Sequence, residues 1–585
     1  MIVRKKISAL QLVLSAFCML SLFGLPVCGQ DKDKDEAVEH PNGLVQDWSH
    51  HHAVYPRVGP IQNLIKVQND PRAIESWQAA ARSEWREWDN RRHHRPPVNS
   101  GMHIDWSIGL GGETTAPFMY PAKFGFNVNA APDCANDFIV FPVNIAGSAS
   151  QPNIVAFNNL YSGTAGGNGS CNRTPVGGVD DGVSATTIWS YNVSAVSGRV
   201  ATSPILSFDG KKVAFVETPS SGTAHFHVLA WKSGDGVATD LQSVISPTQI
   251  TSFTAFAPAV GFGPGVASDL ALGSGNDTLS SPFFVYGRDL VYVGNDAGTL
   301  FRIKDVFCLY ATCTGNGSPA PSLDLTWNGT GMLATGCLGK LTGPVVDGAT
   351  GNIFVGCSDG KLYGFTNTGG ALTPLVVGNG SATGGIVDPP IVDGVHGFIY
   401  AVSGNNGANA VIVQAKTSDL SLQSTATLGG GGLRNLHAPA FNDAYYTGIL
   451  ANSILYEVAP NSTGITVYGA TFNGSRIMTS GTPTNAISFG VGTQEISPLT
   501  EFKTTGGEDR FFESLQSSAS GNLASYRIDL GFPTGLESFA TEGAGTTGIV
   551  VDNVATGVGN AQANSIYFGA LGANTAVKLT QGGLQ

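Results

Sequence analysis

Charge is what this chain has least of. Asp, Glu, Lys and Arg make up 13% of its 585 residues, and the balance is acidic at −12. Such a shortage of basic residues excludes nucleic acid or an anionic membrane surface as the main partner. Past the first 30 residues no apolar run is long enough to span a bilayer. None of the eight cysteines is adjacent to another. Convincing helical periodicity is confined to one stretch before residue 100. In excess are glycine, with 77 residues, and short β-branched runs. This is the composition of a large all-β protein with many tight turns. Its 42% hydrophobic content is enough to bury a large core, so the chain is not a disordered one.

Residues 1–29 read as a secretory signal peptide. Arg4, Lys5 and Lys6 form a basic start, an apolar run follows from Ile7, and Gly24 and Pro26 break it before Gly29. Two alternatives stay open: an uncleaved anchor, and a lipoprotein acylated at Cys28, for which Val27 is a bulky neighbour. The expected destination is secreted, periplasmic or cell-surface, with no integral membrane segment after cleavage. Export leaves six cysteines, Cys134, Cys171, Cys308, Cys313, Cys337 and Cys357. An even number in an oxidising compartment suggests disulfides. Sequence neighbours suggest Cys134–Cys171, Cys308–Cys313 and Cys337–Cys357, although six cysteines allow 15 pairings. No histidine follows the Cys308 to Cys313 pair, and its spacing is one residue too long for a tight zinc pair.

From Tyr120 onward one phrase recurs. Units begin at Tyr120, Ser203, Ser281, Gly343, Pro389, Ala438, Ser497 and Thr547. In most, a small residue and a proline open a short strand. A polar turn, often Asp-Gly, leads to an apolar strand such as NIFVGC or GFIYAVS. A Gly/Asn/Asp turn then leads to a third strand such as KLYGFT. Proline is tolerated where the first strand begins, because no N–H is needed there. Asp-Gly and Asn-Gly supply the positive φ of tight hairpins. A fourth strand is marked by Trp189 and Trp327 and fades elsewhere. Short antiparallel strands repeating at this period read as blades of a β-propeller. Eight blades are expected, or seven if one unit is degenerate.

The last unit ends after its third strand. Residues 102–112, MHIDWSIGLGG, carry the tryptophan of a fourth. Ring closure by strand exchange is therefore expected, with the segment around Trp106 as the outer strand of the last blade. The propeller is placed at 101–585. Residues 30–100 read as a polar linker with one helix at about 71–92, capped by Asp70 and opened by Pro71, and presenting Trp77, Trp85 and Trp88. This helix either packs on the ring's side or docks a partner.

The phrases NIFVGCSDGKLYGF and DLVYVGNDAGTLFRI resemble repeats of the PQQ-type, quinoprotein-like propeller superfamily. The likeness covers roughly residues 102–585, and the chain also resembles exported bacterial propeller proteins. It implies the fold. For function it implies either a quinone-dependent dehydrogenase or a non-enzymatic scaffold. The dehydrogenases carry a vicinal Cys–Cys disulfide, a calcium held by carboxylates and a regular blade tryptophan. This chain lacks the first, and most of its units lack the last.

Asp296, Asp347, Asp359 and Asp393 occupy turns that favour Asp for backbone reasons. Neighbouring histidines such as His50, His51 and His52 would point to opposite faces of a strand, a poor closed metal site, and His40, His93 and His94 add no fixed geometry. His225 and His227 would share one strand face without an evident third ligand. Asp180 and Asp181 sit in too short a loop for calcium, and Gly429–Gly432 lacks the helix a phosphate cradle needs. No catalytic set, metal or cofactor is therefore expected. The function read from sequence is a monomeric, non-catalytic binding or scaffold propeller for a protein or glycan partner on one face. The alternative is a PQQ-dependent dehydrogenase or another propeller enzyme with a loop-built site.

Overall fold

Every repeated unit folds into its own small antiparallel sheet, because none has a face that water can cover. In the blade built from Ile391–Asp393, Phe398–Asn406, Asn409–Lys416 and Leu422–Leu428, nearly the whole second strand is buried on both faces. Only stacked neighbours can bury both faces. The computed structural model describes residues 43–55, 70–73, 102–126, 133–148, 150–161, 185–194, 196–237, 250–253, 265–308, 321–380, 384–429, 435–461, 464–489, 495–503, 508–516, 522–529, 531–553 and 564–581. All lie in one unit, Asn42–Gln585.

Eight sheets follow one another along the chain. Their first strands are Ala122–Phe126, Ile205–Leu206, Phe283–Val285, Val345–Val346, Ile391–Asp393, Ala440–Phe441, Thr500–Lys503 and Val550–Asn553, which open blades 1 to 8. First strands touch between blades 1 and 2, 3 and 4, 4 and 5, 6 and 7, 7 and 8, and 8 and 1, so they form the inner wall of a closed eight-blade propeller. The seven-blade alternative is set aside.

The closing strand is Met102–Gly109, which pairs antiparallel with Thr575–Gln581 at the outer edge of blade 8. Trp106 is buried there. Its indole donates to the Leu160 carbonyl at 3.2 Å and packs beside Phe157 of blade 1 and Tyr567 of blade 8. The strand thus joins its own blade by hydrogen bonds and the next by apolar contact.

Hydroxyl residues at four of the unit openings, one or two positions before the proline in three of them, have a use that pattern reading missed. Ser280, Thr342, Ser497 and Thr547 accept the backbone N–H of Gly294, Gly356, Ser514 and Gly569, at 2.6, 3.0, 2.9 and 2.9 Å. Each hydroxyl satisfies a buried donor near the end of the second strand. At the Asp347-Gly348 turn the carboxylate accepts from Ala349 N and Thr350 Oγ1, both at 2.8 Å, but the expected positive φ falls on Gly351, at 74°, and not on Gly348; Gly360, after Asp359, does take it, at 81°.

Four blades depart from the four-strand plan. Blades 2 and 7 each have a split edge, Val266–Ala267 with Leu270–Ala271 in the one and Glu495–Ile496 with Thr500–Lys503 in the other. Blade 1 has six strands. Gly43–Gln46 adds antiparallel to its first strand, and Ile250–Phe253 adds parallel to its fourth, Thr186–Val193, which carries Trp189. In blade 3 the outer strand is split into Ser322–Leu323 and Met332–Ala334. Trp327 therefore sits in a turn and not, as expected, in a strand. Asp324 caps that turn by accepting from Thr326 N at 3.1 Å, and the indole is still buried against Tyr292.

Cys337 and Cys357 form a disulfide. Cys134 and Cys308 are also disulfide-bonded; Cys171 and Cys313, their expected partners, lie outside the described residues. So do residues 1–29, His40, His93, His94, Asp180, Asp181, Gly430–Gly432 and residues 74–92 of the expected helix. Pro71, Arg72 and Ala73 are helical, and Asp70 caps them by accepting from Arg72 N at 3.0 Å. Among the described residues no helix is long and apolar enough to cross a membrane.

Candidate functional site, the central channel

Residues 43–55, expected in the linker ahead of the ring, lie inside it. Gly43–Gln46 runs along the inner edge of blade 1, from Gly43 opposite Phe126 to Gln46 opposite Lys123. Asp47 then turns the chain. Its carboxylate accepts from Ser49 N at 2.9 Å and caps a short 3₁₀ turn, Trp48–His51, while Asp47 N donates to His50 Nδ1 at 3.1 Å. Past the turn, Val54 N donates to Val392 O and Val392 N to His52 O, both at 2.8 Å. Val392 belongs to the first strand of blade 5, which stands opposite blade 1 in a ring of eight. The segment therefore crosses the channel from wall to wall.

Trp48 is the anchor of this crossing. It is 1% exposed and shares a core with Tyr120, Ile205, Phe283, Val345 and Val392 from the first strands and their approaches. Its indole N–H donates to the Pro282 carbonyl at 3.0 Å. Gly343 lies against the ring: a Cβ there would come within 2.8 Å of Trp48 Cη2. Burying a side chain of this size is worth about 3 kcal/mol. Arg72 fastens the segment from the other side. It pairs with Asp70 through two bonds of 2.8 Å, donates to Ser49 Oγ at 3.1 Å and to the Phe284 carbonyl at 3.0 Å, and lies 4.3 Å over the Phe283 ring.

The three consecutive histidines line one small cavity with Tyr120, Phe441 and Glu501, of about 40 Å³. On a 3₁₀ turn they fan out instead of alternating as they would on a strand. His51 stacks on Tyr120 with ring centres 4.9 Å apart, and burial pushes its pKa down to about 3. Burial also lowers His52, against the pull of Asp388. Asp388 itself is drawn below the usual carboxylate range: burial raises it, but His437, with Nδ1 at 3.3 Å, and the bond from Ala438 N at 2.8 Å prevail. Glu457, buried nearby, is held well above its ordinary value by burial and by Asp388. Burial thus keeps the His51 and His52 rings neutral, which suits packing of this segment against the channel wall. Among the described residues the group close enough to share a metal is Cys337, Cys357 and Asp359, and its two sulfurs are bonded to each other.

The remaining sequence candidates are spread around the ring. Asp296 braces Thr278, Asp359 accepts from Lys361 N and the Tyr363 hydroxyl, and Asp393 holds His396 and the Tyr445 hydroxyl. They do not converge. His225 and His227 do share a face, with rings 6.3 Å apart. Asp269 takes His225 at 2.6 Å and raises its pKa, while His227 sits between the Ser268 carbonyl and Glu217. Glu217 also accepts from Gly198 N at 2.6 Å, so this cluster ties the loop before blade 2 to its second strand. Sequence reading missed the channel segment because its contacts span hundreds of residues.

No family model matches the chain, and no curated protein does. Solved structures are similar to it at low identity. BamB from Moraxella catarrhalis aligns at 14% identity over 82% of this chain and 97% of that one, with a TM-score of 0.40. The Dos1 propeller aligns at 9% over 83% and 95%, with 0.43. A chain of the mitotic checkpoint complex aligns at 9% over 74% and 96%, with 0.35.

Proposed function

We propose that the protein is an exported, non-catalytic β-propeller that binds a protein or glycan on one face of its ring. The observation that carries this is the filled channel. Sites for small molecules and cofactors take pockets of roughly 300–1,000 Å³. The cavity left beside the channel histidines is about 40 Å³, room for little more than water. A quinone with a substrate does not fit beside Trp48 unless residues 43–55 leave, and those residues are fixed to blades 1, 3 and 5. What the ring offers a partner is its outer surface. Export is supported by the basic and apolar pattern of residues 1–29 and by the Cys337–Cys357 disulfide.

The test is a dye-linked dehydrogenase assay with PQQ and calcium on a panel of alcohols and aldoses, beside calorimetric titration of PQQ. Neither turnover nor quinone binding is expected. Turnover that requires both additions overturns the proposal. Binding is read on glycan and envelope-protein panels, with hydrogen exchange mapping the contact. Protection is expected on the loops of one face.

A further inference from the structure

The seam that closes the ring holds a pair of buried, oppositely charged side chains in contact. Lys578 Nζ lies 2.5 Å from Asp105 Oδ2, and both side chains are fully buried. Lys578 is in the C-terminal strand Thr575–Gln581. Asp105 is in the closing strand, at a register shift between Ile104 and Trp106, which pair with Leu579 and Lys578. The extra residue of such a bulge is re-aimed relative to its neighbours. The surroundings are aromatic: the Tyr161 ring centre is 5.5 Å from Lys578 Nζ, and Trp106 packs on Tyr567.

Removal from water penalises both charges, which brings the neutral amine and neutral acid within reach by proton transfer across the contact. An amine held against a carboxyl group also gains the large effective concentration of an intramolecular reaction. We propose that Lys578 and Asp105 condense to a side-chain amide that seals the propeller covalently between its first outer strand and its last.

The step balances without a co-reactant. The ammonium group passes one proton to the carboxylate, and the freed nitrogen lone pair attacks Asp105 Cγ. The C–N bond forms and one Cγ–O bond breaks. That oxygen leaves as water with two of the three ammonium protons, and the third stays on the amide nitrogen. Nothing is oxidised or reduced. The other buried pair of this seam, Lys123 and Asp552, is built differently. It is wider, at 3.1 Å, and the same Asp552 oxygen accepts the hydroxyls of Tyr161 and Tyr567, each at 3.0 Å.

Peptide mapping by mass spectrometry of the purified full chain, disulfides reduced, tests the proposal. A branched peptide is expected in which the segment with Asp105 is joined to the segment with Lys578, one water lighter than their sum. Lys578→Arg must abolish it. Asp105→Asn must restore an identical branched peptide, now formed with loss of ammonia. Recovery of the two segments only as separate linear peptides, from wild-type protein shown to be folded by circular dichroism, overturns the proposal. The wild-type chain decides the matter by itself, so a variant that fails to fold costs nothing.

Discussion

The indole of Trp48 donates to the carbonyl of Pro282, a hydrogen bond of 3.0 Å between residues 234 positions apart. It fixes the N-terminal segment to the inner wall of blade 3 and makes that segment part of the ring's core. Trp48→Ala leaves a void at the axis and an unpaired carbonyl, and is expected to cost about 3–5 kcal/mol. Gly343→Leu forces a side chain into the same ring and should destabilise by at least about 2 kcal/mol. Chemical denaturation of both variants measures these values. If both unfold as the wild type does, the segment is not part of the core.

The channel histidines make stability depend on mild acid. His51 is neutral in the folded chain, with its pKa pushed down to about 3 from an ordinary 6.5. As pH falls through 6.5 the unfolded chain takes up a proton that the folded chain refuses. The contribution is therefore intact above 6.5 and is lost as pH falls from there toward 3. His52 shifts in the same direction. Thermal melts across this window should show a falling Tm, and His51→Phe, which keeps a ring against Tyr120, should flatten the slope.

Glu513 gives the opposite sign. It is fully buried in blade 7, accepts from the Tyr526 hydroxyl at 3.1 Å, and is pushed up to about 8 from 4.5 by burial. Between those values the unfolded chain has lost a proton that the folded chain keeps, so stability falls as pH rises from 4.5 to 8. By pH 7 this loss is about 3 kcal/mol. Glu513→Gln should remove it, leaving the variant more stable than wild type at neutral pH and similar to it at pH 4.5. Denaturant midpoints at the two pH values read the difference.

The Cys337–Cys357 bridge spans 20 residues, from the loop before blade 4 to the turn after that blade's second strand. Loop-closure entropy assigns such a bridge about 3 kcal/mol. The double variant Cys337→Ala/Cys357→Ala should lose that much in equilibrium denaturation while keeping the circular dichroism of an all-β chain. A loss of folded signal in buffer alone would give the bridge a larger role than chain entropy allows.

Blade grammar was legible because it is local. A proline at a strand start, Asp-Gly at a hairpin and four to six apolar residues between turns are constraints within about 30 residues, and the eight units fold as eight blades, the last of them without the proline. The closing strand was legible for a related reason: the last unit lacked a strand, and MHIDWSIG was a strand without a unit. Trp327 was misplaced because a capping Asp324 and an Asn-Gly pair split the strand that the tryptophan suggested.

What the sequence alone determined was the blade, its repetition and the way the ring shuts, since each depends on turn chemistry and on a period that short segments carry. What only the tertiary structure decided was the content of the channel and the chemistry of the seam. Val45 and Trp48 are ordinary apolar residues in a polar stretch until blade 1 and blade 3 stand beside them. Asp105 and Lys578 are 473 positions apart and meet only when the ring has closed and expelled its water. Contacts of that separation leave no periodic trace along the chain, because they are selected by the geometry of the closed ring and not by neighbouring residues.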